Sequence, residues 1–277
     1  MSEEEGGERS NSVKGTIEAA TGLVKAIPIY DDMLQPAAKQ LGKTLETVCK
    51  AVNVALAPVS GLVWGYEQFQ AFIDTKVASR LKDIPAEDII TPKPNVAGPA
   101  IEALRYTGHE DSLSDLYANL LASAMDRSTA KEAHPAFVEI IKQLTPDEAR
   151  ILNLFVSQSI YPLISLRAEK TTEDGGADVF IHYSHLSKTS GVLDADRVPA
   201  YLDNFCRLGI MEVPPNTRLT AKGVYDEIEN DPVILEQLTN IALDPNRKPR
   251  VIRLMIRTTR LGDQFIDACV RQKAAQK

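Results

Sequence analysis

The amino-acid sequence predicts a mainly α-helical protein with three parts: an N-terminal α-helical bundle, a winged-helix-like α+β module and a basic C-terminal helix. Three observations predict this fold class. Apolar residues recur every three or four positions through most of residues 13–142, as in amphipathic helices. Short strand-like runs alternate with helices in residues 145–231. Residues 246–277 carry nine Lys or Arg and two Asp, a charge of +7 on a chain of net charge −7.

Composition places the chain among soluble globular proteins. It has 277 residues, of which 44% are hydrophobic and 25% charged, so it can bury a core without disulfides or metals. Its three cysteines are widely spaced and form no CxxC pair, which favours a reducing compartment. The acidic overall charge argues against sequence-independent nucleic-acid binding. We therefore expect a cytoplasmic protein, with peripheral membrane binding on activation as a possible addition.

The first predicted domain spans residues 13–142 and is helical. The acidic, polar residues 1–12 before it are predicted to be a disordered tail. Prolines and glycines interrupt the helical pattern near Pro58, and a proline-containing linker covers residues 84–98. One apolar stripe precedes the interruption, and it consists of Leu41, Leu45, Val48, Val52 and Leu56.

An uncharged stretch, residues 51–66, permits two interpretations. At 1.5 Å per residue it would measure roughly 24 Å, which is shorter than the ~30 Å hydrocarbon layer of a bilayer. The stretch is therefore either a helix buried in the bundle or an element that inserts into a membrane only on activation. The candidate insertion residues are Val52, Val54, Leu56, Val59, Leu62, Val63 and Trp64.

The second predicted domain, residues 145–231, has the element order of a winged helix, including a short strand at residues 210–213 and a return strand that begins at Arg218. Thr145 and Glu148 are predicted to form a capping box at the start of its first helix, with Pro146 at the first helical position. The helix that would read DNA, residues 194–208, has more acidic than basic residues, so it is a poor partner for phosphates. We predict that specific DNA binding is unlikely and that the module binds protein or is purely structural.

The third predicted part, residues 232–277, is a basic helical segment. Arg250, Arg253, Arg257 and Arg260 are spaced three, four and three apart, which would align them on one face of a helix. Such a face is a candidate site for RNA or anionic lipid. The interpretation that we favour is that the basic helix pairs with the acidic body of the same chain or forms a solvated face.

Few residue patterns indicate chemistry. His182 and His185 lack the further ligands that a zinc site requires, and no nucleophile or phosphate-binding motif is present. We therefore predict no enzyme activity, and assign no catalytic, cofactor-binding or metal-binding residue. Asn119 and Ser123 lie four residues apart on one predicted helix, where they are expected to form a buried polar contact or to bind a partner. We favour a hydrogen-bonded residue of the core or of an interface over a catalytic one.

Residues 27–68 and 83–152 contain the motifs that resemble a known family. The most specific are PKPNVAGP from Pro92, LRYTG from Leu104, LYANLL from Leu116 and HPAFV from His134. These stretches resemble the Abi-alpha (abortive infection alpha) family of bacterial and prophage proteins, formerly a domain of unknown function. The resemblance implies phage defence through growth arrest or death of the infected cell, and it supplies no catalytic residue.

From these observations we expect a non-enzymatic defence protein. Its helical region would be the effector, and its winged-helix-like module would be a sensor or a protein-binding platform. A protein partner or self-association is expected. The alternatives are a nucleic-acid-binding regulator that uses the four arginines, or a conditional membrane-inserting toxin.

Overall fold

The computed structural model describes residues 45–56 and 66–272 of the chain. The first helical layer consists of α1 (Leu45–Leu56), α2 (Tyr66–Phe72), a π-helical turn (Ile73–Val77) and α3 (Ala78–Leu81). A 3₁₀ turn (Ala86–Asp88) follows. Helices α4 (Pro94–Thr107), α5 (Asp111–Met125) and α6 (Ala136–Ile141) complete the bundle sequence.

The α+β part begins at α7 (Pro146–Leu154), where the predicted capping box of Thr145 and Glu148 is present. It continues through β1 (Ile160–Lys170), β2 (Gly176–Tyr183), α8 (Leu186–Ser190), a 3₁₀ turn (Ala195–Arg197), α9 (Val198–Arg207) and β3 (Met211–Glu212). Two short helices, α10 (Asp226–Glu229) and α11 (Pro232–Ala242), precede β4 (Arg247–Thr258). Helix α12 (Arg260–Phe265) then runs into a second π-helical turn (Ile266–Val270).

The four strands form one antiparallel sheet in the order β2-β1-β4-β3. Strand β4 pairs with β1 without interruption, from Ile160 opposite Arg257 to Lys170 opposite Arg247. The pairing of β1 with β2 shifts register twice, between Ile164 and Arg167. Such bulges twist an edge strand such as β2.

The basic C-terminal segment differs from the predicted helix, because most of its arginines lie on β4. The helix predicted from the three- and four-residue spacing of the arginines was wrong. What stabilises this segment is its pairing with β1, a strand some eighty residues earlier, and hydrophobic periodicity within one segment does not report such pairing. The prediction of a mainly α protein with an α+β module is confirmed.

The partner of β3 also differs from the expected arrangement. The sequence suggested that a strand beginning at Arg218 would return beside β3, but residues 218–220 form no strand. Instead β4 pairs with β3, with Met211 opposite Thr258. In the sequence, helices α10 and α11 therefore lie between β3 and β4, the two strands that pair.

The sheet separates two hydrophobic cores. Leu163 and Ile256 face the larger core, which the bundle helices line. Their neighbours Ile164 and Leu166 belong to a smaller core with Ile228 and the buried residues of α11. This division follows from the alternation of side chains along a strand, which presents successive residues to opposite faces.

Candidate functional site

The arginines of β4 form an arginine ladder, a set of three ion pairs with carboxylates from three other elements. Arg250 pairs with Glu169 of β1 at 2.7 Å. Arg253 donates two hydrogen bonds to Glu229 of α10, at 2.5 and 2.7 Å. Arg257 pairs with Glu212 of β3 at 2.7 Å. Each ladder arginine therefore has an intramolecular carboxylate partner.

The four arginines predicted to share a face do not do so. Arg253 and Arg257 are four positions apart on β4 and lie on the same face of the sheet, whereas Arg250 lies on the other face. Arg260 lies beyond the strand at the start of α12, where its side chain is exposed. The predicted helical face of four arginines is thus replaced by side chains that point in several directions.

Part of the candidate insertion segment lies on α1. Val52 and Leu56 are buried in the larger core, whereas Val54 is 38% exposed. The remaining candidates, Val59, Leu62, Val63 and Trp64, lie outside the described residues. The described part is therefore an amphipathic helix with its apolar face packed inward.

A polar triad joins α1 to α2 and to the π-helical turn within the first helical layer. The Asn53 amide donates to Asp74 at 3.2 Å and to the backbone carbonyl of Cys49 at 2.9 Å. Gln70 donates to both members, at 3.0 Å to Asn53 and 2.9 Å to Asp74. These contacts fix how α1 is docked, because each hydrogen bond tolerates only a narrow range of distances and angles between its donor and acceptor.

Helix α5 carries a row of polar residues, Asp111, Asp115, Asn119 and Ser123, which we call the α5 seam. Four-residue spacing places them along one face of the helix. Their exposure falls steadily along the row: the Asp111 and Asp115 side chains are 93% and 42% exposed. Asn119 and Ser123 are 5% and 3% exposed. The seam thus runs from solvent into the core.

The solvent end of the α5 seam contacts the first helical layer. Lys76, on the π-helical turn, lies 3.0 Å from Asp111 and 3.1 Å from Asp115. Arg80, on α3, donates to Asp115 at 3.0 Å, to the carbonyl of Lys76 at 2.7 Å and to the side-chain oxygen of Asn119. Arg80 therefore extends this charged network to the buried half of the seam.

The buried end of the α5 seam holds residues 260–270, which we call the C-terminal strap. Asn119 donates to the carbonyls of Cys269 and Val270, at 2.8 and 3.3 Å. Ser123 donates to the carbonyl of Ala268 at 3.0 Å. The last carbonyls of a helix lack intrahelical donors, and leaving them unpaired in the core is costly. The seam supplies the missing donors.

Packing fixes the strap further. Phe265 meets Phe137 of α6 edge to face, with ring centroids 5.4 Å apart. Thr259 caps α12 by accepting from the Gly262 amide at 3.0 Å. Gly262 lies so close to the Ile210 backbone that an added Cβ would overlap the Ile210 carbonyl oxygen. The strap therefore contacts both the helical bundle and the sheet end of the module.

A second buried polar cluster, centred on Asp231, joins β2, α8 and α11. The Asp231 carboxylate accepts from Lys188, from His185 at 2.8 Å and from the Val233 amide at 3.0 Å. Burial raises the pKa of Asp231, but hydrogen bonds from these three groups and from Tyr183 outweigh it, so the pKa lies well below its usual range. These donors hold β2, α8 and the start of α11 together, and we call the cluster the Asp231 clasp.

The buried polar contacts were only partly visible in the sequence. The contact expected of Asn119 and Ser123 is present, although it is made with the strap rather than between the two side chains. The role of Arg80 was missed. The signal that could have found the seam is the full series of four polar residues at four-residue spacing on α5. Nothing in the local sequence marks Asp231 as buried.

The family model described as abortive infection alpha matches residues 65–269. This chain belongs to the abortive infection alpha family. The match confirms the resemblance of the sequence motifs, and the family name points to a function of the abortive-infection type. It also spans Arg80, the whole α5 seam and most of the strap, so the seam contacts lie within the family domain.

A solved structure from the hydrocarbon-degrading marine bacterium Alcanivorax borkumensis SK2, an uncharacterized protein, is 20% identical to this abortive infection alpha protein. The similarity covers 50% of this chain and 92% of that chain, with a TM-score of 0.34. Among curated proteins, none matches. The family assignment of the chain rests on the family model.

Within residues 45–56 and 66–272, no helix is long and apolar enough to cross a membrane. The same residues contain no group of three or more His, Cys, Asp or Glu that could hold a metal ion.

Proposed function

We propose that the protein is a non-enzymatic abortive-infection effector that acts in the cytoplasm. The helical part would carry the effector activity, and the winged-helix-like module would sense infection or bind a protein partner. Membership of the abortive infection alpha family is the observation that carries the general function. The division of roles rests on the contacts of the two parts.

The arrangement of α1 supports an effector role for the helical part. Its apolar face is packed inward, and its docking depends on the partly buried triad of Asn53, Gln70 and Asp74. A helix held in this way can be released as a unit, which would expose Val52 and Leu56 to a protein partner or to a membrane surface. Membrane insertion is one form of this proposal.

The charges of the α+β module support protein binding over nucleic-acid binding. The ladder arginines already face carboxylates, so contact with phosphates would require breaking or sharing these ion pairs. On α9, Arg207 donates to Asn204 and Gln143 rather than extending freely. A nucleic-acid-binding regulator remains the second candidate, and its motivation is the number of arginines in this region.

A phage plaque assay combined with a cell-survival assay tests the proposal. Val54→Asp places a charge on the exposed side of α1 without burying it, and Val179→Asp is the matched control on the exposed edge of β2. We expect Val54→Asp to lose protection and Val179→Asp to retain it, with both variants melting within a few degrees of the parent. Liposome leakage would then distinguish membrane insertion from protein contact.

Two results would contradict this proposal. In the first, Val54→Asp leaves protection unaffected, replacement of all three ladder arginines by Gln abolishes protection, and the purified parent is found with bound nucleic acid. The other is a specific catalytic activity in the pure protein. Either would move the function to the α+β module or to an enzyme class.

A further inference from the structure

Asn119 is a buried side chain that contacts two separate segments at once. Its oxygen accepts from Arg80 of the first helical layer, and its amide nitrogen donates to two carbonyls of the C-terminal strap. About 40 residues separate Asn119 from Arg80, and 150 separate it from Cys269. Both contacts are therefore tertiary contacts made through one side-chain amide.

The chemistry of the two partners fixes how this amide is oriented. A guanidinium group has only donors, and a backbone carbonyl has only acceptors. The Asn119 oxygen must therefore face Arg80 while its nitrogen faces Cys269 and Val270. If Arg80 leaves, the buried oxygen has no donor, and the amide loses the group that keeps its nitrogen directed at the strap.

Arg80 is itself held in position for this task. Its other nitrogens donate to Asp115 and to the Lys76 carbonyl, so its Nε has little freedom to move away from Asn119. Ser123 holds the strap independently, because it donates to the Ala268 carbonyl. The strap therefore has one anchor that depends on the first helical layer and one that does not.

We propose that Asn119 couples the docking of the first helical layer to the docking of the C-terminal strap, with Arg80 as the positioning residue. Loosening of either segment weakens the hold on the other, and this reciprocity is a thermodynamic necessity once the two share an anchor. Under the proposed function, on which this consequence rests, the strap is the regulatory element that keeps α1 and its neighbours packed.

Native-state hydrogen exchange on the full chain, measured by mass spectrometry, tests the coupling. Arg80→Met removes the donors, keeps an apolar stem and leaves Asp115 paired with Lys76. We expect exchange of amides in residues 266–270 to accelerate roughly tenfold, although Arg80 does not hydrogen-bond to the strap. The matched control, Lys76→Met, removes a cation from the same layer and is expected to accelerate exchange only near residues 73–81 and 111–115.

Double variants separate coupling from general loosening. In the Asn119→Ala background, Arg80→Met should have no further effect on strap exchange, because Arg80 acts through Asn119. In the Ser123→Ala background, its effect should persist in full. Strap exchange at the parental rate in Arg80→Met would overturn the proposal, and so would full additivity with Asn119→Ala. Circular dichroism at parental values would confirm that each variant is folded.

The same variants distinguish this proposal from the proposed function. If Arg80→Met accelerates strap exchange but phage protection is unchanged, the coupling stands and its role in the effector is wrong. If strap exchange is unchanged, the coupling is wrong whatever the plaque assay gives.

Discussion

The α5 seam and the arginine ladder each place polar side chains along one regular element, yet they stabilise the fold in different ways. The seam ends in the core, where Asn119 and Ser123 donate to backbone carbonyls of the strap. Water cannot reach these carbonyls to take the place of the two donors. The ladder lies at the surface, where the side chains of Arg250 and Arg257 are 61% and 45% exposed. Polar contacts in the core are costly to leave unmade, whereas exposed ion pairs compete with water.

The largest loss of stability is expected at Gly262, where the strap packs directly against backbone. In Gly262→Ala the new Cβ would overlap the Ile210 carbonyl oxygen and lie 2.8 Å from the carbonyl carbon, and both belong to rigid backbone. We expect a loss of about 3 kcal/mol in the free energy of unfolding, measured by urea titration.

Gly191→Ala is the control for this substitution. Gly191 has a φ of +70° and no atom within 4 Å of an added Cβ, so only backbone strain opposes the alanine. That cost is about 1 kcal/mol. Equal losses in the two variants would mean that the strap shifts to accommodate the methyl group and is not tightly docked.

Acid titration extends the comparison to a buried carboxylate, that of Asp231. The Asp231 pKa is lower in the folded state than in the unfolded chain, so the ionised group stabilises the fold above about pH 4 and the effect is lost as the pH falls through the folded-state pKa. Asp231→Asn removes this charge from Lys188 and His185. We expect it to cost about 3 kcal/mol at pH 7.

The difference in the free energy of unfolding between the parent and Asp231→Asn should become smaller below about pH 4, when urea titrations are repeated at falling pH. Asp178→Asn is the control, because Asp178 pairs with Arg167 at the surface and its side chain is 46% exposed. For this control we expect only a small difference from the parent in the free energy of unfolding at every pH. A difference for Asp231→Asn that does not depend on pH would show that the carboxylate charge is not what stabilises the clasp.

The difference between the two regions also explains what the sequence could predict. Helix α5 and the capping box at Thr145 are encoded by neighbouring residues, so spacing and capping residues were sufficient to find them. Strand β4 depends on β1 and β3, which are distant in sequence, and its arginines happen to repeat at three and four. Arg80 and Asn119 required the tertiary structure, because no local pattern links α3 to α5.

The ladder should give the smallest effect. Replacing Arg250 or Arg257 by Gln is expected to lower the free energy of unfolding by less than about 1 kcal/mol, because each ion pair is half exposed and solvated. The loss should shrink further in about 1 M salt, where exposed charges are screened within about 3 Å. Urea titrations at low and high salt, with a double-mutant cycle for Arg257→Gln and Glu212→Gln, measure this loss.

Arg253 should be the most sensitive ladder arginine, because it donates twice to Glu229 and lies 5.4 Å from the centre of the Tyr225 ring. A loss above about 2 kcal/mol at Arg257 that salt does not reduce would place the ladder with the buried contacts, since only desolvated ion pairs resist screening.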